Sequence, residues 1–322
     1  MDKCGDPFYN KGISSDKGEA IMKDVKKIDI HAHAIPWPQY TPPSQDRPST
    51  MLTPNELFDE YYDKLNVEKT VLLPIVSPEA QYTVFPSEAV KFLVDQDPER
   101  LLWFCNVDPR AIGNATDTDL GYLLEHYKKL GAKGVGELTS NLYADDPKTD
   151  NLFSYCEELD LPVTIHIAPE PTGFYGIVDE LGLPRIEKML KKHPKLKILG
   201  HSQPFWAEIG DNVTNENRNR YVKGEVRNGR LPELLRRYEN LYCDLSAGSG
   251  ANAMMRDREH AAAFLAEFSD RVLWGCDICR HGQTFPFEFD AFLTSMRESG
   301  ELSEENYVKL VRGNACKLLE LK

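Results

Sequence analysis

No run of apolar residues in this chain approaches the roughly 20 that a membrane span requires, which argues against a membrane protein. Positive charge is also short. The 322 residues carry 38 Lys and Arg against 51 Asp and Glu, a formal net charge of −13. Nucleic acid and anionic membranes bind basic faces, so neither is expected as a partner. A small anionic substrate remains compatible, because local charge at a site can oppose the net charge. Cysteine is sparse, with seven scattered residues (Cys4, Cys105, Cys156, Cys243, Cys276, Cys279 and Cys316). Several lie inside apolar runs, as reduced core thiols do, so a cytoplasmic, disulfide-free protein is expected. Cys276 and Cys279 form a lone C-x-x-C. No second ligand pair for structural zinc and no thioredoxin-like context accompany it, so these thiols are expected to pack around a strand end.

Internal repeats, low-complexity tracts and a clean domain boundary are missing as well. The polar N-terminus lacks the apolar middle of a signal peptide. Residues 1–25 are expected to form an arm and residues 26–322 a single domain. A hydrophobic fraction of 41% is enough for a sizeable core.

Eight strand-like runs recur along that domain: Lys27–His31, Glu68–Pro74, Leu101–Val107, Ala132–Leu138, Pro162–Ile167, Leu196–Gly200, Asn240–Leu245 and Arg271–Cys276. Several are continuously apolar, as strands covered on both faces are. Helical patterns lie between them. "TPNELFDEYYDKLN" opens on Thr53 as N-cap with Pro54 at the first helical position. "DLGYLLEHYKKLG" ends on Gly131, and "LPRIEKMLKKHP" runs between Pro184 and Pro194. Alternation of this kind predicts an α/β protein, a (β/α)8 TIM barrel whose site lies at the C-terminal ends of the strands. Two long connections, Ala34–Met51 and Ser202–Arg230, fall on that face and are expected to wall the pocket.

Four histidines and two acids sit at the carboxyl-side ends of these runs: His31, His33, Glu137, His166, His201 and Asp277. His31 and His33 are two apart on a strand, so both rings share a face and can grip one ion. Asp29 has the same parity and is expected to accept a ring N–H from a ligand. In the fifth run Val163, Ile165 and Ile167 face the helices, which turns His166 inward. A carboxylate at Asp277 can bind a divalent ion or take a proton from activated water. Imidazole and carboxylate together suit zinc, with manganese, iron or cobalt also accepted. His126, His193 and His260 lie in helical segments and are expected at the surface.

These motifs ("DIHAH", "TIHIA", "LGHSQ", "LYCDLSA", "WGCDICR" and the late "RGNACKLLEL") resemble the amidohydrolase superfamily. Within it they resemble amidohydrolase family 2, the branch that includes aminocarboxymuconate-semialdehyde decarboxylase. The resemblance runs from residue 27 to the C-terminus. It implies that His31, His33, His166 and Asp277 correspond to the ligands of mononuclear members. His201 corresponds either to a second-metal ligand or to a polarising acid/base histidine. Asp244 has no metal role in that pattern and is expected to be structural, and Asn314 is expected to fix the backbone near the barrel end. Glu137 stands about where binuclear members carry a bridging group. It either bridges two ions or, beside a single ion, supports a ligand or the substrate.

An enzyme is therefore expected: a metal-dependent hydrolase acting on a small carboxylated lactone, ester or amide. Asp277 would move the proton and His201 would polarise the carbonyl or bind the second ion. Arg280 and His281 would help bind substrate. The alternative is a metal-dependent, non-oxidative decarboxylase of an aromatic or unsaturated acid, which the same fold can host. Oligomeric state is not readable from the chain, and a homodimer is the default expectation.

Overall fold

The structure, a computed structural model, describes residues 25–80 and 84–321. The expected N-terminal arm lies outside these residues, apart from Val25. Nine strands are present among the described residues: β1 (Lys27–Ala32), β2 (Val67–Leu72), β3 (Leu101–Trp103), β4 (Val135–Leu138), β5 (Val163–Ala168), β6 (Ile177–Val178), β7 (Ile198–His201), β8 (Leu241–Leu245) and β9 (Val272–Trp274). Eight match the eight runs read from the sequence, and β6 is a two-residue addition beside β5. All pair in parallel, as β1-β2-β3 and as β4-β5-β7-β8-β9. Parallel bridges join the two sheets at Cys105 with Val135 and at Ala32 with Ile278. There the Gly136 N–H donates to the Cys105 carbonyl at 2.9 Å and the Asp277 N–H to the His31 carbonyl at 2.7 Å. The eight long strands thus form the ring of a TIM barrel.

Helices cover its outside. Pro54–Leu57 continues through Phe58–Tyr62 and Asp63–Leu65. Its start is fixed by a capping box: Thr53 accepts the Glu56 N–H, and the Glu56 carboxylate accepts the Thr53 N–H at 2.8 Å. Gly121–Lys129 is followed by Gly131 at φ +97, as a glycine C-cap requires. Pro184–Lys192 also matches its sequence pattern, and Arg230–Arg237 and Arg258–Glu267 are further helices of this cover. Ser87–Gln96, Pro147–Glu158 and Phe285–Glu298 occupy intervals in which no helix had been assigned.

The core has two parts. Ile28, Ile30, Val71, Leu73, Phe104, Leu199 and Leu273 come from strands across the ring and pack together in the barrel interior. Ala32, Trp103, Val135, Ile165, Ile198, Cys243 and Trp274 belong to the larger cluster, packed against helix residues such as Leu93, Phe153 and Leu234.

Two sequence expectations are corrected here. His193 is not at the surface: it is buried, with Nε2 2.9 Å from the Asp150 carboxylate. Cys316 is disulfide-bonded, so the chain is not disulfide-free. Cys105, Cys156, Cys243, Cys276 and Cys279 do carry free thiols. No helix among the described residues is long and apolar enough to cross a membrane.

Candidate metal centre

Alternation along β5, β7 and β8 aims His166, His201 and Asp244 inward, opposite Ile165, Ile198 and Cys243. β1 and β4 do not alternate evenly. Ile28 and Ile30 face the interior, yet so do His31 and His33 after them, while Ala32 packs outward. The pairing of β1 with β2 shifts register between Asp29 and Ala32, which re-aims the chain by one residue. β4 does the same between Val135 and Leu138. Both of those residues face the helices, and Glu137 between them reaches the site. Such bulges commonly re-aim side chains next to active sites. Asp29 therefore does not share a face with His31, as unbroken parity had implied, and Glu137 turns away from the helices that Val135 and Leu138 face. At Gly136, with φ +140, an added Cβ would lie 2.7 Å from the Thr164 carbonyl, so only glycine fits before Glu137.

The six predicted ligands converge. The ligand atoms of five of them fall into overlapping triads, His31 with His33 and Glu137, and Glu137 with His166 and His201, each within 4.8 Å, and a third triad joins His31 and His201 to Asp244. Glu137 spans the two. Its Oε2 lies 3.7 Å from His31 Nε2 and 3.5 Å from His33 Nε2. Its Oε1 lies 2.7 Å from His166 Nδ1 and 3.8 Å from His201 Nε2. Asp277 stands across the cluster, with Oδ1 3.6 and 3.5 Å from His31 and His33 Nε2 and Oδ2 3.6 Å from His201 Nε2.

Hydrogen bonding fixes two of the rings. His31 Nδ1 donates to Asp244 Oδ2 at 2.5 Å, and His33 Nδ1 donates to the Leu73 carbonyl at 2.8 Å. A carbonyl or carboxylate oxygen only accepts, so in the neutral rings both protons sit on Nδ1. Both Nε2 lone pairs then face each other at 3.1 Å. Between two neutral rings that approach is repulsive, and either a proton on one ring or a metal ion between them relieves it. For a metal ion it is a ligand edge: metal–nitrogen bonds of about 2.0–2.1 Å separate neighbouring ligand nitrogens by ~2.9–3.4 Å. The electrostatics agree. Burial opposes charge on Glu137, yet His166, His31 and His33 around it hold its carboxyl well below the usual range. Burial also opposes charge on His31, yet Asp244 and Asp277 hold its ring well above the usual imidazole range. Two buried carboxylates, Glu137 and Asp244, and the partly open Asp277 stand among four imidazoles, and their negative charge calls for a cation. The donor set therefore fits a divalent ion.

Asp29 does not accept a ring N–H. Its Oδ1 accepts the backbone N–H groups of His31 and Cys276, both at 2.9 Å, and the Tyr62 hydroxyl donates to Oδ2 at 2.6 Å. The ring N–H goes instead to Asp244, which does more than a structural residue would. Ser246 joins it, with Oγ 3.0 Å from His201 Nδ1. Two tyrosines reach the mouth from connections after strands. Tyr175 lies over His166, with ring centroids 4.4 Å apart, and the Tyr221 hydroxyl feels the charges of Asp277 and Arg280. Tyr221 comes from the 202–230 connection, as expected of a pocket wall. The 34–51 connection instead packs Trp37 on Phe92 and pairs Arg47 with Glu60 at 2.8 Å. His281 joins that same Glu60, at 3.1 Å, and Arg280 is exposed. Neither of the two expected substrate binders touches the ligand cluster.

Three solved structures share the fold over nearly all of the chain. A probable 2-pyrone-4,6-dicarboxylic acid hydrolase from Acinetobacter baumannii is 15% identical, covering 92% of this chain and 100% of its own, with a TM-score of 0.57. The 2,6-dihydroxybenzoate decarboxylase from Rhizobium is 18% identical (92% and 98% covered, TM-score 0.56). An amidohydrolase from Burkholderia multivorans with bound zinc is 16% identical (92% and 100% covered, TM-score 0.59). No functionally curated protein matches the sequence. The sequence profile of the amidohydrolase family 2 matches residues 28–321. Over that span, with its ligand cluster at the strand ends of a TIM barrel, the chain belongs to the amidohydrolase family, whose members are metal-dependent hydrolases or decarboxylases.

Proposed function

We propose that this protein is a hydrolase of a small carboxylated lactone, ester or amide, whose site would hold two divalent ions with Glu137 serving as a ligand to both. The observation that carries the proposal is the division of the Glu137 carboxylate, with Oε2 toward His31 and His33 and Oε1 toward His166 and His201. His31, His33 and Asp277 would hold one ion, and His166 and His201 the other. Zinc is the first choice, in keeping with the zinc held by the Burkholderia structure. When bound, a divalent ion supplies Lewis acidity toward a carbonyl oxygen and toward water.

The protein's own groups do the rest. Asp277 is the most open of the three carboxylates, its side chain 21% exposed against 5% for Glu137 and 1% for Asp244. It therefore meets entering water first, takes a proton from the attacking water at a carboxylate oxygen and returns it to the leaving group. Asp244 holds the His31 ring in one tautomer, and Ser246 holds His201. Arg280, exposed three residues past Asp277, would supply positive charge for a substrate carboxylate.

The second proposal is decarboxylation. It is favoured by the 2.7 Å contact between Glu137 Oε1 and His166 Nδ1, which engages Glu137 in orienting a ligand and leaves a single ion. The experiment offers the purified, zinc-loaded protein 2-pyrone-4,6-dicarboxylate, aryl esters, amides and 2,6-dihydroxybenzoate. Acid release from the lactone and esters is followed by pH-stat, amine release from the amides by an amine-reactive dye, and CO2 by trapping. The hydrolase account predicts acid or amine release from the lactone, ester or amide set and no CO2. CO2 release alone would overturn it in favour of decarboxylation.

A further inference from the structure

The backbone that presents Glu137 is held by a side chain outside the ligand cluster. Asn106 stands three residues past the end of β3 and is buried, at 4% exposure. Its Nδ2 donates to the Pro74 carbonyl at 2.9 Å and to the Glu137 carbonyl at 2.6 Å. Carbonyl oxygens only accept, so the NH2 group must face them and the amide oxygen faces away. That oxygen is sealed from solvent and has no hydrogen-bond partner.

The amide joins chains where backbone pairing has run out. The ladder between β2 and β3 ends at Leu72 with Trp103, and β3 meets β4 at the Cys105–Val135 bridge. Past these points Asn106 ties the end of β2 to the bulge of β4. Asn106 is itself fastened. The Ser87 hydroxyl donates to its carbonyl at 2.9 Å and accepts its N–H at 2.8 Å. Ser87 is buried and opens the helix Ser87–Gln96.

Both gripped peptides belong to the site. Pro74 follows Leu73, whose carbonyl accepts the His33 Nδ1–H. Glu137 lies between Val135 and Leu138, where the register of β4 against β5 shifts. A bulge disrupts the ladder locally, so the residue within it gains most from a further anchor. Stability alone does not account for an asparagine here, because a buried amide oxygen without a partner is a cost. What its two N–H donors hold is the bulge from which Glu137 reaches the ligand cluster.

We infer that Asn106 is a positioning residue of the metal centre, its amide fixing the Glu137 backbone so that the carboxylate can serve both ions. This rests on the two-ion reading of Glu137. Asn106 acts through Glu137 and through the peptide beside the His33 partner.

The test measures zinc affinity on the full-length protein, by competition against a chelating fluorophore, for wild type, Asn106→Ala and Thr53→Ala. Groups that support metal ligands are commonly worth roughly 10–100-fold in affinity, so Asn106→Ala should bind zinc at least about tenfold more weakly. Thr53→Ala, a lost helix cap away from the ligand cluster, should melt lower and keep wild-type zinc affinity. That contrast separates positioning from loss of stability. A second reading comes from the manganese-loaded protein. Two ions sharing a carboxylate should give an exchange-coupled electron paramagnetic resonance signal in the wild type, and Asn106→Ala should weaken or abolish the coupling. Asn106→Ser, a milder change, takes the same measurements should the alanine variant not fold. Two ions in the wild type, with affinity and coupling unchanged in the Asn106 variant, would overturn this inference and leave the two-ion reading standing. One ion in the wild type would overturn the two-ion reading and this inference with it.

Discussion

Replacing Asp244 with asparagine exchanges one carboxylate oxygen for an NH2 group, and the surroundings decide which way the amide turns. Oδ1 of Asp244 accepts the Ser246 N–H at 3.1 Å, and Oδ2 accepts the His31 Nδ1–H at 2.5 Å. An asparagine has one acceptor for these two donors. If its oxygen stays with Ser246, its NH2 faces His31 Nδ1, and the ring must move its proton to Nε2. That nitrogen lies 3.1 Å from His33 Nε2, where a ligand lone pair is needed. If the amide flips, the Ser246 N–H loses its acceptor and His31 loses a charged one. Partners of ligand histidines are commonly worth 10–100-fold in metal affinity, about 1.4–2.8 kcal/mol. Because the preferred amide orientation also imposes the wrong tautomer, Asp244→Asn should reach the upper end, about a 100-fold loss. Asp244→Ala leaves the ring free to choose its tautomer and should lose only about tenfold. Competition against a zinc-chelating fluorophore measures both, with thermal melting to confirm folding. An asparagine variant within threefold of wild type, or one that binds more tightly than the alanine variant, would refute the reasoning.

Other predictions concern the frame around the site. Gly200→Ala would place a Cβ 2.0 Å from the Phe205 ring, immediately before His201. It should destabilise the fold by about 1–3 kcal/mol, read as a lower urea midpoint, and should reduce zinc affinity as His201 shifts. Thr53→Ala removes the capping box and should cost about 1 kcal/mol in the same denaturation assay without changing metal content. Cys279 has no ligand role here, so Cys279→Ser should leave zinc content and activity unchanged. Loss of metal in that variant would revive a role for the C-x-x-C pair.

Much of this was legible in the sequence, for a physical reason. A parallel strand covered on both faces is apolar along its length, so a histidine or acid at its carboxyl end stands out. His31, His33, Glu137, His166, His201 and Asp277 could be read that way, and all six converge. Orientation within β1 and β4 was not legible, because parity assumes an unbroken period of two and a bulge leaves no distinct residue signature. Asp29 was assigned to the wrong face for that reason. Asp244 was undervalued because its importance lies in a contact across 213 residues. Local spacing carries no information about such pairs. Arg280 and His281 sit in a connection whose course depends on Glu60 and Tyr61 of a distant helix.

The most direct test of the bridged pair is metal content per chain by elemental analysis, on wild-type protein and on Glu137→Ala, after zinc loading and removal of excess. The account predicts two ions in the wild type and one or none in the variant. One ion in both would contradict it and leave Glu137 outside the ligand set.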